Sequence, residues 1–292
     1  MWRRMARTPK GARIAAITAL AFMLIGLAPA GSAAADLSSG AQFNPPKRYY
    51  LALGDSVPHG HIWVDGVALK KSYPYRFAER LEQLRPDITV VNYSCSGEST
   101  GTMIAGGCPM QLLGLPLQDP FAGPQLDAAA DFLRRHPGQV SPITLTIGSG
   151  DLRELLIACN NDFACMEPRI PAAMAAFSRN LSFVIGSLRA EAPDAEIIVT
   201  GMWNTFVGSF DVSDPLIMNV NDLMAAVASR HGARFANPFP VFNPQGDPEA
   251  ELAAICALTR LCSDGDSHPS DAGHAALADL VWDASDYERL DP

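Results

Sequence analysis

Ser56 stands in Gly54-Asp55-Ser56-Val57, directly after the apolar run Tyr49-Tyr50-Leu51-Ala52-Leu53. That run predicts a buried first strand. A serine just past a strand end presents its hydroxyl on a rigid support. Such a hydroxyl becomes a nucleophile when a base takes its proton and fixed donors hold the oxyanion formed on the attacked carbonyl. The best candidate base is His268, in Asp264-Gly265-Asp266-Ser267-His268-Pro269. Asp266 and Asp264 are the two candidates for the acid that orients its ring. Histidines 59, 61, 136, 231 and 274 lack a comparable acidic setting. His59 and His61 lie close to Ser56 and either line the site or sit on a hydrated loop.

A rival nucleophile is Ser99, because Gly97-Glu98-Ser99-Thr100-Gly101 fits the G-x-S-x-G elbow. That elbow needs a strand running straight in and a helix straight out. Here the apolar strand ends near Tyr93, and the Gly-rich stretch through Gly107 predicts a loop. Ser99 is therefore the weaker candidate.

The elements that would position these groups alternate. Strands are expected at 48–53, 88–93, 142–147, 197–200 and 233–236. Helices are expected at 75–84, 125–135, from 152 after an Asp151 cap, at 171–190, at 215–230, and at 271–284 after a Ser270 or Asp271 cap. Residues 36–47 are expected to form a flexible leader and 96–124 a long surface loop. Within that loop Met103, Ile104, Met110, Leu112, Leu113, Leu115, Leu117 and Phe121 either line a cleft for an acyl chain or form core beneath it. Apolar strands separated by amphipathic helices imply an α/β fold: a three-layer α/β/α sandwich around a parallel sheet of about five strands. Function in such sheets gathers at the carboxyl ends of the strands. Ser56, Ser96-Gly97 and Gly148 to Asp151 would all lie there.

Residues 1–35 have the layout of a secretory signal: Arg3, Arg4, Arg7, Lys10 and Arg13, an uncharged apolar stretch from Ile14 to Leu27, then Ala33-Ala34-Ala35. The apolar stretch is short of the roughly 20 residues that span a bilayer, so cleavage and export are expected, with no membrane span afterwards. The Arg3-Arg4 pair leaves the export route open between the general and twin-arginine systems. Residues 36–292 would form one domain. Losing five basic residues takes the net charge from −9 to −14, which argues against nucleic acid as a partner. All six cysteines lie in the exported part, and their spacing favours three local bridges, Cys95–Cys108, Cys159–Cys165 and Cys256–Cys262. No C-x-x-C pair or His-Cys cluster supports a zinc site.

Four blocks in order resemble the GDSL, or SGNH, hydrolase family over nearly the whole exported chain. They are Gly54-Asp55-Ser56, then Asn92-Tyr93-Ser94-Cys95-Ser96-Gly97, then Gly148-Ser149-Gly150-Asp151, and last Asp266 to His268 followed by Asp271-Ala272-Gly273-His274. The likeness is to secreted esterases and lipases of that family with three disulfides. It implies a monomeric serine esterase without metal or cofactor, acting on a small-molecule, lipid or carbohydrate ester. It also implies an oxyanion hole built from the backbone N–H groups of Ser56 and Gly97. Two departures stand out. The family's third block carries an asparagine donor where this chain has Gly150, so Ser149, Asn204 or a water would have to substitute. Its acid sits three residues before the histidine, where this chain has Gly265. A carbohydrate acetyl esterase, and an exported binding protein that keeps the fold without the chemistry, are the alternatives.

Overall fold

Alternate side chains of each strand enter two separate cores. In β1 (Tyr49–Gly54), Leu51 and Leu53 enter one core while Tyr50 and Ala52 enter the other. The same alternation recurs in β2 (Thr89–Asn92), β3 (Val140–Thr146), β4 (Ile197–Thr200) and β5 (Arg234–Ala236). The computed structural model describes residues 43–62, 66–67, 70–207 and 213–290; the expected export segment lies outside them. The five strands form one parallel sheet in the order β2-β1-β3-β4-β5. Leu51 pairs with both Val91 and Ile143, and Ile143 with Ile197.

Ten helices are used below: α1 (Ser56–His59), α2 (Tyr73–Leu84), α3 (Thr100–Ala105), α4 (Pro109–Leu112), α5 (Gln125–Arg135), α6 (Ser149–Ala158), α7 (Ile170–Glu191), α8 (Ser213–Arg230), α9 (Pro248–Leu258) and α10 (Asp271–Ser285). One face of the sheet packs on α5, α7 and α8, through Phe132, Leu181 and Val227 among others. The other packs on α2 and α10, through Phe77 and Val281. The chain is therefore a three-layer α/β/α sandwich. On the second face β3 presents threonines, and two buried tyrosines bond to them. Tyr50 Oη lies 2.8 Å from Thr144 Oγ1, and Tyr73 Oη 2.7 Å from Thr146 Oγ1. Each pair meets a polar demand that would otherwise cost about 1–3 kcal/mol.

From β1 the chain goes first to β2 on one side and then to β3 on the other. The carboxyl ends of β1 and β3 therefore flank the point where the strand order reverses, the usual place for a site in an open α/β sheet.

Four expectations need correction. Residues 96–124 are not one loop but contain α3 and α4. Ser99 caps α3, its side chain accepting from Thr102 N–H, and Pro109 opens α4. Helix α6 starts at Ser149, not 152, and Asp151 sits inside its first turn with its carboxylate turned to Thr100. Residues 43–47 are not a loose leader: Phe43 packs edge-on against Tyr287, and Asn44 N–H donates to Glu196. Helix α9 went unexpected because its apolar residues follow no single stripe. The three bridges Cys95–Cys108, Cys159–Cys165 and Cys256–Cys262 are formed. Among the described residues no helix is long and apolar enough to cross a membrane.

Candidate active site

Asp55 caps α1, its Oδ1 accepting the Val57 N–H at 3.0 Å. This fixes Ser56 as the first residue of a short helix immediately beyond β1, partly open to solvent. The Asp55 carboxylate is buried and also accepts from Ser149 Oγ at 2.5 Å, which ties the first block to the third. Gln125 clamps the strand end just before it. Its Oε1 accepts the Gly54 N–H at 2.7 Å and its Nε2 donates to the Gly54 carbonyl at 3.0 Å. The sequence carries no sign of that clamp, because Gln125 meets Gly54 only through the tertiary fold.

His268 lies on a short strand, Asp266–Pro269, paired antiparallel with Thr259–Arg260 and packed against α1. Residues two apart on a strand point to the same face. Asp266 and His268 meet on that account: buried Asp266 Oδ1 accepts from His268 Nδ1 at 2.5 Å and from the His268 backbone N–H at 3.0 Å. With Nδ1 carrying its proton to the carboxylate, Nε2 is left as the free base. Asp264 faces elsewhere. It lies in a helical turn before Gly265 and pairs with Arg260 at 2.5 Å. His61 packs its ring edge-on against His268, centroids 5.3 Å apart, and so lines the site. His59 is no hydrated residue; it is buried, and that burial pushes its pKa down to about 4.

Gly97 occupies the third position of a tight turn. Glu98 N–H donates to the Cys95 carbonyl at 3.1 Å, and Gly97 has φ +86°. A positive φ at that position is the pattern of a type II turn, which demands glycine there. Ser99, the rival nucleophile, is followed by a helix after all, but it is buried and its side chain is spent on the α3 cap.

The absent asparagine at 150 has a steric cause. A Cβ on Gly150 would lie 2.0 Å from the Glu98 carbonyl oxygen. The α6 start is pressed against the Glu98–Ser99 backbone, and no side chain fits between them. The proposed stand-ins are committed: Ser149 Oγ donates to Asp55, and Asn204 Nδ2 donates to Ser213 and Asp214.

Beneath the site lie two buried carboxyls. Burial raises Asp55 to a pKa of about 6 and Glu98 to about 7, against hydrogen bonds that pull both down. Glu98 Oε2 accepts from Gln125 Nε2 at 2.8 Å. In the unfolded chain Glu98 gives up its proton near pH 4.5, while the folded chain holds it to about 7. Across that window the folded state binds the extra proton, so stability is full at the acid end and declines as pH rises through 7. The Glu98 contribution is on the order of 3 kcal/mol. Buried His59 and His274, both lowered to about 4, act in the opposite sense below pH 6.5, so the Glu98 effect is read as a difference: from pH 5 to pH 8 the urea midpoint of the parent should fall relative to that of Glu98→Gln. Parallel pH profiles in the two proteins would place the effect elsewhere.

A family model described as the GDSL-like Lipase/Acylhydrolase family matches residues 52–276. Among curated proteins, none matches the chain. Solved structures share the fold at low identity. A lipase from a goat rumen metagenome is 18% identical, with a TM-score of 0.55 over 83% of this chain and 99% of that one. An extracellular lipase from Streptomyces rimosus is 20% identical, at 0.54 over 81% and 99%. The acetylxylan esterase Axe2 from Geobacillus stearothermophilus is 16% identical, at 0.54 over 84% and 97%. With the match spanning all four sequence blocks from β1 to α10, the chain belongs to the GDSL-like Lipase/Acylhydrolase family.

Proposed function

We propose that the chain is an exported serine esterase that cleaves carboxylic esters through an acyl-enzyme on Ser56. The observation that carries this reading is the Asp266–His268 pair, held on a strand that packs against the helix beginning at Ser56. Ser56 Oγ bonds to the ester carbonyl carbon as its proton passes to His268 Nε2. The oxyanion is held by the backbone N–H groups of Ser56 and Gly97. As the tetrahedral adduct collapses, the C–O bond to the alcohol breaks and the alcohol takes the proton from His268. Water then attacks the acyl-enzyme with His268 as base, releasing the acid and restoring Ser56. No metal or organic cofactor enters these steps. The three disulfides fit an oxidising, extracellular compartment.

For the acyl group, an apolar cleft favours a chain longer than acetyl. It lies between α6, α7 and α8, lined by Leu152, Leu155, Phe177 and Met202 and by Gly148, the neighbour of the Ser149 that bonds Asp55. Each methylene buried there is worth about 0.8 kcal/mol. The carbohydrate acetyl esterase reading, the activity named for Axe2, would leave this cleft unused. Alkyl p-nitrophenyl phosphonates test both points. The expected result is a mass increase on the Ser56 peptide, faster with a long alkyl chain than with methyl. Labelling of Ser99, or of nothing, would sink the nucleophile assignment and favour a binding protein. A faster methyl reagent would favour the acetyl esterase.

A further inference from the structure

Residues 99–118 carry no charged side chain. Within them Leu112, Leu113 and Leu115 are 75%, 73% and 43% exposed. They are not part of the buried core, although Met110 close by in sequence is buried beside Leu117 and Phe121. A contiguous apolar patch left uncovered in water marks a surface that meets something.

This ridge is built, not loose. The N–H groups of Leu112, Leu113 and Leu115 donate to the carbonyls of Cys108, Pro109 and Met110, and the Cys95–Cys108 bridge closes its base. It is also bonded to the nucleophile helix. His59, the last residue of α1, donates from Nε2 to the Pro116 carbonyl at 3.1 Å, and Gln118 Nε2 donates to the His59 carbonyl at 2.7 Å. Gln118 Oε1 in turn accepts the Lys70 N–H at 3.1 Å. Lys70 and Lys71 are both exposed. In a chain of net charge −9, two exposed lysines tied through the Lys70–Gln118 bond to the segment that carries the leucines complement one kind of surface: apolar in depth and negative at its face. A layer of anionic phospholipid has that character, and each lysine near it adds to the attraction.

We propose that Leu112, Leu113 and Leu115, with Lys70 and Lys71, dock α1 and its Ser56 onto an anionic phospholipid surface. Docking itself does not need catalysis; that it serves ester hydrolysis rests on the esterase reading above. The test is co-sedimentation of the full chain carrying Ser56→Ala with phosphatidylcholine vesicles, with and without phosphatidylglycerol. Binding is expected to the mixed vesicles, weakened by added salt. Leu112→Asp with Leu113→Asp should lower the partition coefficient at least about tenfold. Lys70→Glu with Lys71→Glu should lower it at least about thirtyfold. In the chain with Ser56 intact, the leucine changes should leave the thermal midpoint and the turnover of a soluble short-chain ester within about twofold.

Several results would overturn the proposal: no sedimentation of the parent, binding kept by the leucine variant, or equal binding to phosphatidylcholine alone. So would a dimer, formed without vesicles and dissolved by the leucine changes, since the ridge would then be a self-association face. Vesicle binding without phosphonate labelling of Ser56 leaves the docking intact and removes the esterase; labelling without vesicle binding does the reverse.

Discussion

Ser56→Ala should lower kcat/KM for a p-nitrophenyl ester by about 10⁴-fold or more, with KM little changed. The hydroxyl sits at the end of β1 and makes no capping bond; Asp55 does that for α1. Removing the hydroxyl therefore subtracts the nucleophile without loosening its support, and the thermal midpoint should stay put. A residual rate is expected, because two backbone donors and His268 remain to act on water. Ser99→Ala makes the contrast. It deletes the α3 cap, so it should cost about 1 kcal/mol of stability and leave turnover within a few-fold. Full activity in Ser56→Ala would remove the covalent mechanism outright. The starting rate is itself expected to be modest, since a missing oxyanion donor is worth roughly 10²–10³ and Gly150 offers no side chain.

The sheet was legible because each strand is a short apolar run between turn residues, and buried parallel strands need little else. Helices α5, α7 and α8 were legible from their spacing. What escaped was set by contacts between distant segments. The Gln125 clamp on Gly54 spans 71 positions. The crowding that requires Gly150 comes from a carbonyl of Glu98, and nothing local to residue 150 announces it. Helix α3 was hidden behind its glycines, although Ser99 and Thr102 form a capping box around its first turn. The outward turn of Leu112, Leu113 and Leu115 was equally hidden, because leucine spacing does not say which side of a short turn meets the core. The choice between Asp266 and Asp264 required only the local conformation. On a strand, i and i+2 share a face. In a helical turn, i and i+4 do, which hands Asp264 to Arg260 instead.

That geometry makes Asp266 the second large prediction. Asp266→Asn should lower kcat by about 10³–10⁴ while KM stays within a few-fold. The carboxylate has two tasks. It holds the His268 ring by accepting Nδ1–H at 2.5 Å, and it balances the charge that ring gains when Ser56 gives up its proton. An amide of the same shape keeps the strand and its backbone bond to His268, yet it cannot supply the charge. If its nitrogen faces the ring, Nδ1 becomes the acceptor and the proton moves to Nε2, the atom that must be free to act as base. Folding should survive, because the side chain stays hydrogen-bonded in place. Asp264→Asn should leave kcat within a few-fold, its loss confined to a partly exposed pair with Arg260 worth about 1 kcal/mol or less. Should Asp264→Asn prove the slower enzyme, His268 would have to turn away from Asp266 in the working state. Equal rates in both variants and the parent would instead mean that His268 needs no carboxylate and works with Ser56 as a dyad.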